Sequence, residues 1–149
     1  MSYILIAAAI FALDLLVKRK IDRERKLGEE SRILNGRILI RKYYNKGAML
    51  EFLAKWPRLV QVICGAALAV ICVLFLFLLR EKGHRGLKLG LAMVLGGGAS
   101  NLCDRLTKGY VVDYFSFKSR FPRLQRVIFN LSDMFVFLGA LLTLLFHKK

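Results

Sequence analysis

The chain alternates between long apolar runs and strongly basic connections. Four apolar blocks can be distinguished: Tyr3 to Val17, Leu59 to Leu79, Leu87 to Cys103 and Val127 to Phe146. About 20 apolar residues cross the hydrocarbon core of a bilayer, so the second and fourth blocks, with 21 and 20 residues, qualify by length alone. The first and third blocks are shorter and carry charges, so they fit only as members of a bundle. The pattern predicts an all-α membrane protein with four transmembrane helices.

The first block has some features of a cleaved signal peptide. However, no basic residue precedes its apolar run, Asp14 interrupts that run, and no small-x-small cleavage site precedes the charged region. We therefore expect a retained first helix.

The connections between the blocks also carry structural signals. Asn35-Gly36 stands between two β-prone runs in "RILNGRILIRKYYNKG" and predicts a tight hairpin, since this dipeptide supplies the positive φ angles of the turn. The segment "YFSFKSRFPRLQRVIF" mixes aromatic with basic residues, which is typical of chain lying along a membrane interface.

Length, composition and charge indicate the number of domains and whether the chain contacts lipid or nucleic acid. The chain has 149 residues, which favours a single domain over residues 1–149, and a net charge of +15. Thirteen of the 25 basic residues lie between Lys18 and Arg58, in a connection between apolar blocks. This distribution favours contact with anionic lipid headgroups and argues against nucleic acid as a partner.

Cofactor chemistry has no support in the sequence. The three cysteines lie in or at the end of apolar blocks, and the two histidines stand alone at helix ends. No second ligand lies at metal-binding spacing, so neither a metal nor a redox cofactor is expected.

Polar residues gather where apolar blocks end. Asn101, Asp104 and Arg105 share one face of a helix, and Asn130 and Asp133 repeat the i, i+3 spacing at the start of the fourth block. Antiparallel packing would put both sets at one membrane level, where Asp14 would join them. Ionisable groups at such depth are costly unless they are paired, so they are candidate functional residues.

Two interpretations of the carboxylates remain open at this point. One is a structural network that pairs Asp104 with Arg105, or Asp14 with Lys18. The other concerns Asp113 and Asp133, which have apolar neighbours and no basic residue within four positions. Two such carboxylates brought together would share a proton and offer an acid and a base, as in aspartic proteolysis. The same pair would also suit ion binding or transport.

A series of short motifs gives a more specific signal. "DLLVK", from Asp14 to Lys18, resembles the D-x-x-x-K element of signal peptidase II, the lipoprotein signal peptidase family, and "NKGAM" (45–49) resembles its N-x-G-A segment. "GGGASNLCDR" (96–105), "GYVVDYF" (109–115) and "FNLSD" (129–133) are similar to the family's G-G-x-x-x-N-x-x-D-R, V-V-D-[FY] and F-N-x-x-D motifs. Five motifs in order cover essentially the whole chain.

This resemblance implies four transmembrane helices with a small extracytoplasmic β-cradle and an interfacial helix or loop. It implies an aspartic endopeptidase of the bacterial cytoplasmic membrane that removes a prolipoprotein's signal peptide before the lipid-modified cysteine. The implied partners are a diacylglyceryl-modified prolipoprotein and membrane lipids. The protein is expected to act as a monomer, with its active site on the extracytoplasmic side.

The resemblance also assigns roles to residues. Asp113 and Asp133 match the catalytic pair, and Arg105 matches a residue that holds a substrate carbonyl. The residues that match the support of the pair or the substrate contact are Asn45, Asn101, Arg105 and Asn130. The residues that match structural polar positions are Asp14, Lys18 and Asp104.

Some positions depart from the family pattern. Leu15 and Val17 replace polar residues, Ser100 replaces a glycine that often precedes Asn101, and the 121–129 stretch is longer and more basic than usual. The alternatives are a non-catalytic paralogue that holds lipidated or signal-peptide helices, and a small ion carrier. Retention of both carboxylates favours the peptidase, and the lack of polar residues across the middle of the second and fourth blocks argues against a conduction path.

Orientation is the one point where two principles disagree. The family places the N-terminus, the 80–88 connection and residues 148–149 in the cytoplasm, which leaves six basic residues inside and 19 outside. The positive-inside rule favours the reverse, but it applies best to short loops, and the first connection has about 40 residues. We expect the family orientation.

Overall fold

The fold is mostly helical, with a small sheet at one end of the bundle. The computed structural model describes residues 2–47, 53–121 and 127–147. Within these residues the helices are α1 (Ser2–Glu24), α2 (Pro57–Arg80), α3 (Arg85–Lys108) and α4 (Leu131–Phe146). The strands are β1 (Glu30–Ile33), β2 (Ile38–Asn45) and β3 (Val111–Phe117).

The helices match the four predicted blocks, but α1 and α3 are longer than their apolar runs. Each continues past the last apolar residue into charged sequence, because lysine, arginine and glutamate are good helix formers. Only α2 among the described helices is both long and apolar enough to qualify by itself as a membrane span. α4 is apolar but has 16 residues, while α1 and α3 carry buried charges. Four spans are therefore not established by length and composition.

α3 lies at the centre of the bundle and packs against each of the other three helices. Glycines allow the close approaches. A Cβ at Gly96 would lie 2.6 Å from the Ala7 carbonyl oxygen of α1, and a Cβ at Gly97 would lie 2.6 Å from the Ser132 carbonyl oxygen of α4. Small residues at helix crossings let backbones meet in this way. The contact at Gly97 brings the start of α4 against the part of α3 that carries Asn101.

The sheet is antiparallel, in the order β1-β2-β3. The hairpin predicted at Asn35-Gly36 is confirmed: β1 pairs with β2, and Leu34, Asn35 and Gly36 all have positive φ in the turn between them. The third strand was not predicted as a strand. Its near-continuous burial gives no alternation of apolar and polar residues, which is the signal that identifies a half-buried strand.

The chain between β3 and α4 was predicted to lie along the interface. Residues 122–126 of that segment are outside the described residues, as are residues 48 and 49 of the motif at 45–49. The described chain resumes before Phe129, whose backbone pairs with Phe115 of β3. This bridge places Asn130 and the start of α4 directly beside β3.

Candidate active site

Asp113 lies on β3, buried between the sheet and the helices. Its carboxylate accepts hydrogen bonds from two side-chain amides, Asn45 Nδ2 at 2.9 Å and Asn130 Nδ2 at 2.7 Å. Burial, together with the neighbouring Asp133 carboxylate, raises the pKa of Asp113 to about 7. The sheet register shifts between Ile40 and Tyr43, at the position that pairs with Asp113. Asp113 is thus suited to hold a proton near neutral pH.

Asp133 lies in the first turn of α4 and has a different environment. It forms a capping box with Asn130: the Asn130 side chain accepts from the Asp133 backbone N–H, and Asp133 Oδ2 accepts from the Asn130 N–H at 3.0 Å. Its other oxygen accepts from Asn101 Nδ2 at 2.8 Å. A helix N-terminus and two N–H donors offset part of the cost of burying this carboxylate.

Two asparagines connect these carboxylates. Asn130 Nδ2 donates to Asp113 and also to Asn101 Oδ1, at 3.1 Å, while Asn101 Nδ2 donates to Asp133. The order of contacts is therefore Asp113, Asn130, Asn101, Asp133. We call this set the amide bridge. It holds two carboxylates with different surroundings in a fixed relation.

Arg105 lies one turn beyond Asn101 on α3. Its Nη2 donates to the Gly47 carbonyl oxygen at 2.8 Å, and its buried Nε has no hydrogen-bond partner among the described residues. Its own carbonyl accepts from Gln61 Nε2 of α2, at 2.8 Å. A cavity of about 90 Å³ opens here, and its lining includes both aspartates, Arg105 and Phe137. A guanidinium donor therefore faces the space next to the carboxylates.

A second buried polar cluster lies behind the amide bridge, and we call it the lysine cluster. Lys18 Nζ contacts Asp14 at 2.7 Å and Asp104 at 3.4 Å, and all three side chains are essentially inaccessible. The predicted pairing of Asp14 with Lys18 is present. The predicted pairing of Asp104 with Arg105 is wrong, because Asp104 contacts Lys18 and Lys108. Asp104 and Arg105 are adjacent on the helix, so their side chains point to different neighbours.

Four further residues of these clusters were not identified from the sequence: Ser100, Tyr114, Lys108 and Gln61. The Ser100 hydroxyl donates to Asp14 at 2.6 Å, and Tyr114 hydroxyl lies 3.3 Å from the other Asp14 oxygen. Of these four, only Gln61 could have been identified from the sequence, because it is the only amide or charged side chain in the apolar run from Leu59 to Leu79.

The arrangement permits acid–base chemistry on a small reactant. A carboxyl suited to carry a proton, a second carboxyl and a cationic donor line the same cavity. Within the described residues, no three His, Cys, Asp or Glu side chains are grouped so as to hold a metal ion.

Comparison with known proteins gives consistent results. The family model for signal peptidase (SPase) II matches residues 6–148. The lipoprotein signal peptidase of Shouchella clausii is 34% identical over 145 residues, covering 97% of this chain and 91% of that protein. That of Mesorhizobium japonicum is 32% identical over 140 residues, covering 94% of this chain and 81% of that protein.

Two solved structures share the fold. Both are described as bacterial membrane enzymes, and they match with TM-scores of 0.80 and 0.75 at 21% and 20% identity. Each match covers 97% of this chain, with 85% and 90% of the solved chains covered.

Proposed function

The chain belongs to the signal peptidase II family, aspartic proteases that remove signal peptides from prolipoproteins, and on that premise we propose that Asp113 and Asp133 are its catalytic pair. The observation that carries this assignment is the amide bridge. Two buried carboxylates are held in different environments, at the wall of a cavity that also contains a guanidinium.

The different environments of the two carboxyls give them different roles in the proposed hydrolysis. Asp133, ionised at the helix N-terminus, takes a proton from water as the water oxygen attacks the scissile carbonyl carbon. Asp113, protonated, gives its proton to the carbonyl oxygen, so a gem-diol forms. When the C–N bond breaks, Asp133 gives its proton to the leaving amine and Asp113 takes a proton from one gem-diol hydroxyl. The carboxylic acid product is released and the pair is back in its starting state.

Arg105 and Asn45 have supporting roles. Arg105 has a buried N–H without a partner among the described residues, so it is placed to donate to a substrate carbonyl. Asn45 donates to Asp113 from β2, which ties the sheet to the site. Asn101 and Asn130 set the orientation of both carboxylates through the amide bridge. No observation favours a non-catalytic role, since both carboxylates are present and oriented.

The scissile bond on this proposal is the one before the lipid-modified cysteine of a diacylglyceryl prolipoprotein. All four helices cross the bacterial cytoplasmic membrane, and residues 1–149 form a single domain that acts as a monomer. Exposed leucine, isoleucine, valine and phenylalanine side chains cover the outer faces of α1, α2 and α4, which suits contact with hydrocarbon. The 23 residues of α1 extend about 35 Å, enough for a core of about 30 Å.

The sheet and the site lie on the extracytoplasmic side in this arrangement. The carboxylates then meet the cleavage site where a signal peptide leaves the membrane. Basic side chains of the first connection contact anionic lipid headgroups on that side. Lys148 and Lys149, which the family places in the cytoplasm, are outside the described residues.

Incubation of the purified protein in micelles with a diacylglyceryl-modified prolipoprotein tests the proposal. We expect cleavage before the modified cysteine by the wild type and none by Asp113→Asn or Asp133→Asn, with both variants folded. Asparagine keeps the size of the side chain but cannot exchange a proton. Near-normal turnover by either variant would disprove the assignment of the pair.

A further inference from the structure

The lysine cluster touches the amide bridge at one point. Lys18 Nζ donates to Asn101 Oδ1 at 2.7 Å, across 83 positions of sequence. The same Asn101 oxygen accepts from Asn130, and the Asn101 nitrogen donates to Asp133. A buried ammonium is thus two hydrogen bonds away from a catalytic carboxylate.

This contact fixes which way the Asn101 amide points. A lysine ammonium has three donors and no acceptor, so Asn101 must turn its oxygen towards Lys18. Its NH₂ group then necessarily faces Asp133. Without the lysine, only the longer hydrogen bond from Asn130, at 3.1 Å, would hold the amide in this orientation. Rotation of the amide would then cost less, and it would present the oxygen to the carboxylate, remove a donor and bring two acceptors together.

Lys18 is in turn held in place by the rest of the lysine cluster. Asp14 contacts it at 2.7 Å, the Ser100 hydroxyl lies 3.3 Å from the ammonium, and Asp104 lies at 3.4 Å. Asp104 also pairs with Lys108 at 3.0 Å. Two carboxylates and two ammonium groups balance the charge of the cluster, so Lys18 and Asp14 can be replaced together by neutral residues without leaving a net charge.

We propose that Lys18 is a positioning residue of the catalytic pair, which acts by orienting the Asn101 amide towards Asp133. Ser100, a serine where glycine is common in the family, contributes by bridging Asp14 and the ammonium. This inference rests on the catalytic assignment of Asp133. It gives Lys18 a role in catalysis in addition to a structural one.

A double-mutant cycle with Asn101 tests this role. The double substitution Lys18→Met/Asp14→Asn removes both members of the ion pair at once, and Asp104 keeps Lys108 as its partner. We expect kcat to fall roughly ten- to hundredfold, the range for a lost hydrogen bond to a charged group, with KM changed less than about twofold. In an Asn101→Ala background the same change should lower kcat no further, because the residue through which Lys18 acts is gone.

The chain supplies a closely matched control. Lys42 pairs with Asp22 at 2.9 Å, and the Tyr44 hydroxyl donates to Asp22 as Tyr114 does to Asp14, but this second cluster does not contact the amide bridge. Lys42→Met/Asp22→Asn should lower the melting temperature while leaving kcat near wild type. The control substitutions should change kcat and the melting temperature by the same amount in the wild-type and Asn101→Ala backgrounds.

Two results would overturn the proposal: unchanged kcat in Lys18→Met/Asp14→Asn, or the same loss in the Asn101→Ala background. If Lys18→Met/Asp14→Asn does not fold, Lys18→Gln/Asp14→Asn keeps polar groups in the cluster but offers an amide with both a donor and an acceptor, which no longer forces the Asn101 oxygen to face it. A folded Lys18→Gln/Asp14→Asn protein with wild-type kcat would then refute the positioning role. Activity in Asp133→Asn would instead disprove the catalytic assignment of Asp133. Failure of the Lys18 proposal can therefore be distinguished from failure of the proposed function.

Discussion

Replacement of Asn130 separates helix capping from catalysis, because the two roles use different atoms. The side-chain oxygen caps α4 by accepting from the Asp133 N–H at 2.9 Å. The side-chain nitrogen donates to Asp113 at 2.7 Å and to Asn101 at 3.1 Å. Serine keeps a capping oxygen and loses the amide donors, whereas alanine loses both functions.

The two variants should therefore differ in stability and agree in activity. An N-cap contributes about 1 kcal/mol, so Asn130→Ala should melt about 2–4 °C below Asn130→Ser for a chain of this length. Both lose the donor to protonated Asp113 and the donor to Asn101, each worth about 0.5–1.5 kcal/mol as a neutral hydrogen bond, so kcat should fall roughly five- to hundredfold in each. Loss of the donor to Asp113 also disfavours the ionised carboxylate and raises the pKa of Asp113 further.

Thermal unfolding in micelles gives the difference in melting temperature. Initial rates of prolipoprotein cleavage across pH give kcat and the shift in the pKa of Asp113. Asp113→Asn provides the baseline for absent catalysis. If Asn130→Ser recovered wild-type activity along with its stability, Asn130 would act only as a helix cap. The amide bridge would then have no catalytic role.

Three other predictions follow from the site and its placement. The proposed mechanism requires Asp113 to carry a proton, and its pKa is about 7, so kcat/KM should fall about tenfold per unit as pH rises beyond that value, and a flat profile there would contradict the acid role. Arg105→Lys should lower kcat/KM strongly and the melting temperature only slightly, because an ammonium cannot replace a planar guanidinium that contacts Gly47 and a substrate carbonyl together. A large fall in melting temperature with unchanged kcat/KM would make Arg105 structural. In a cysteine-free background on intact cells, an impermeant thiol reagent should label a cysteine placed at Glu29 and not one at Gly83, and the opposite pattern would invert the topology.

The sequence predicted those features that depend on local pattern. The helices appear where apolar runs occur, and the hairpin appears at Asn35-Gly36, whose backbone has the expected positive φ values. Lys18 lies four residues after Asp14, so their pairing could be anticipated from helical spacing. β3 could not be recognised in this way, because it is buried on both faces and lacks a period of two.

Most connections within the site could not be predicted from local pattern, since its hydrogen bonds, apart from the capping box of Asn130 and Asp133, join residues far apart in the chain. Asp104 has an arginine next to it in sequence, yet its ion pairs are with Lys18 and Lys108. Similarly, Lys18 and Lys42 each pair with an aspartate that also accepts a hydrogen bond from a tyrosine hydroxyl. Only the packing of α1 against α3 gives Lys18 access to Asn101. On the proposed assignment, the same type of ion pair is structural at Lys42 and affects catalysis at Lys18. The difference is that Lys18 also contacts Asn101, which donates to the Asp133 carboxylate.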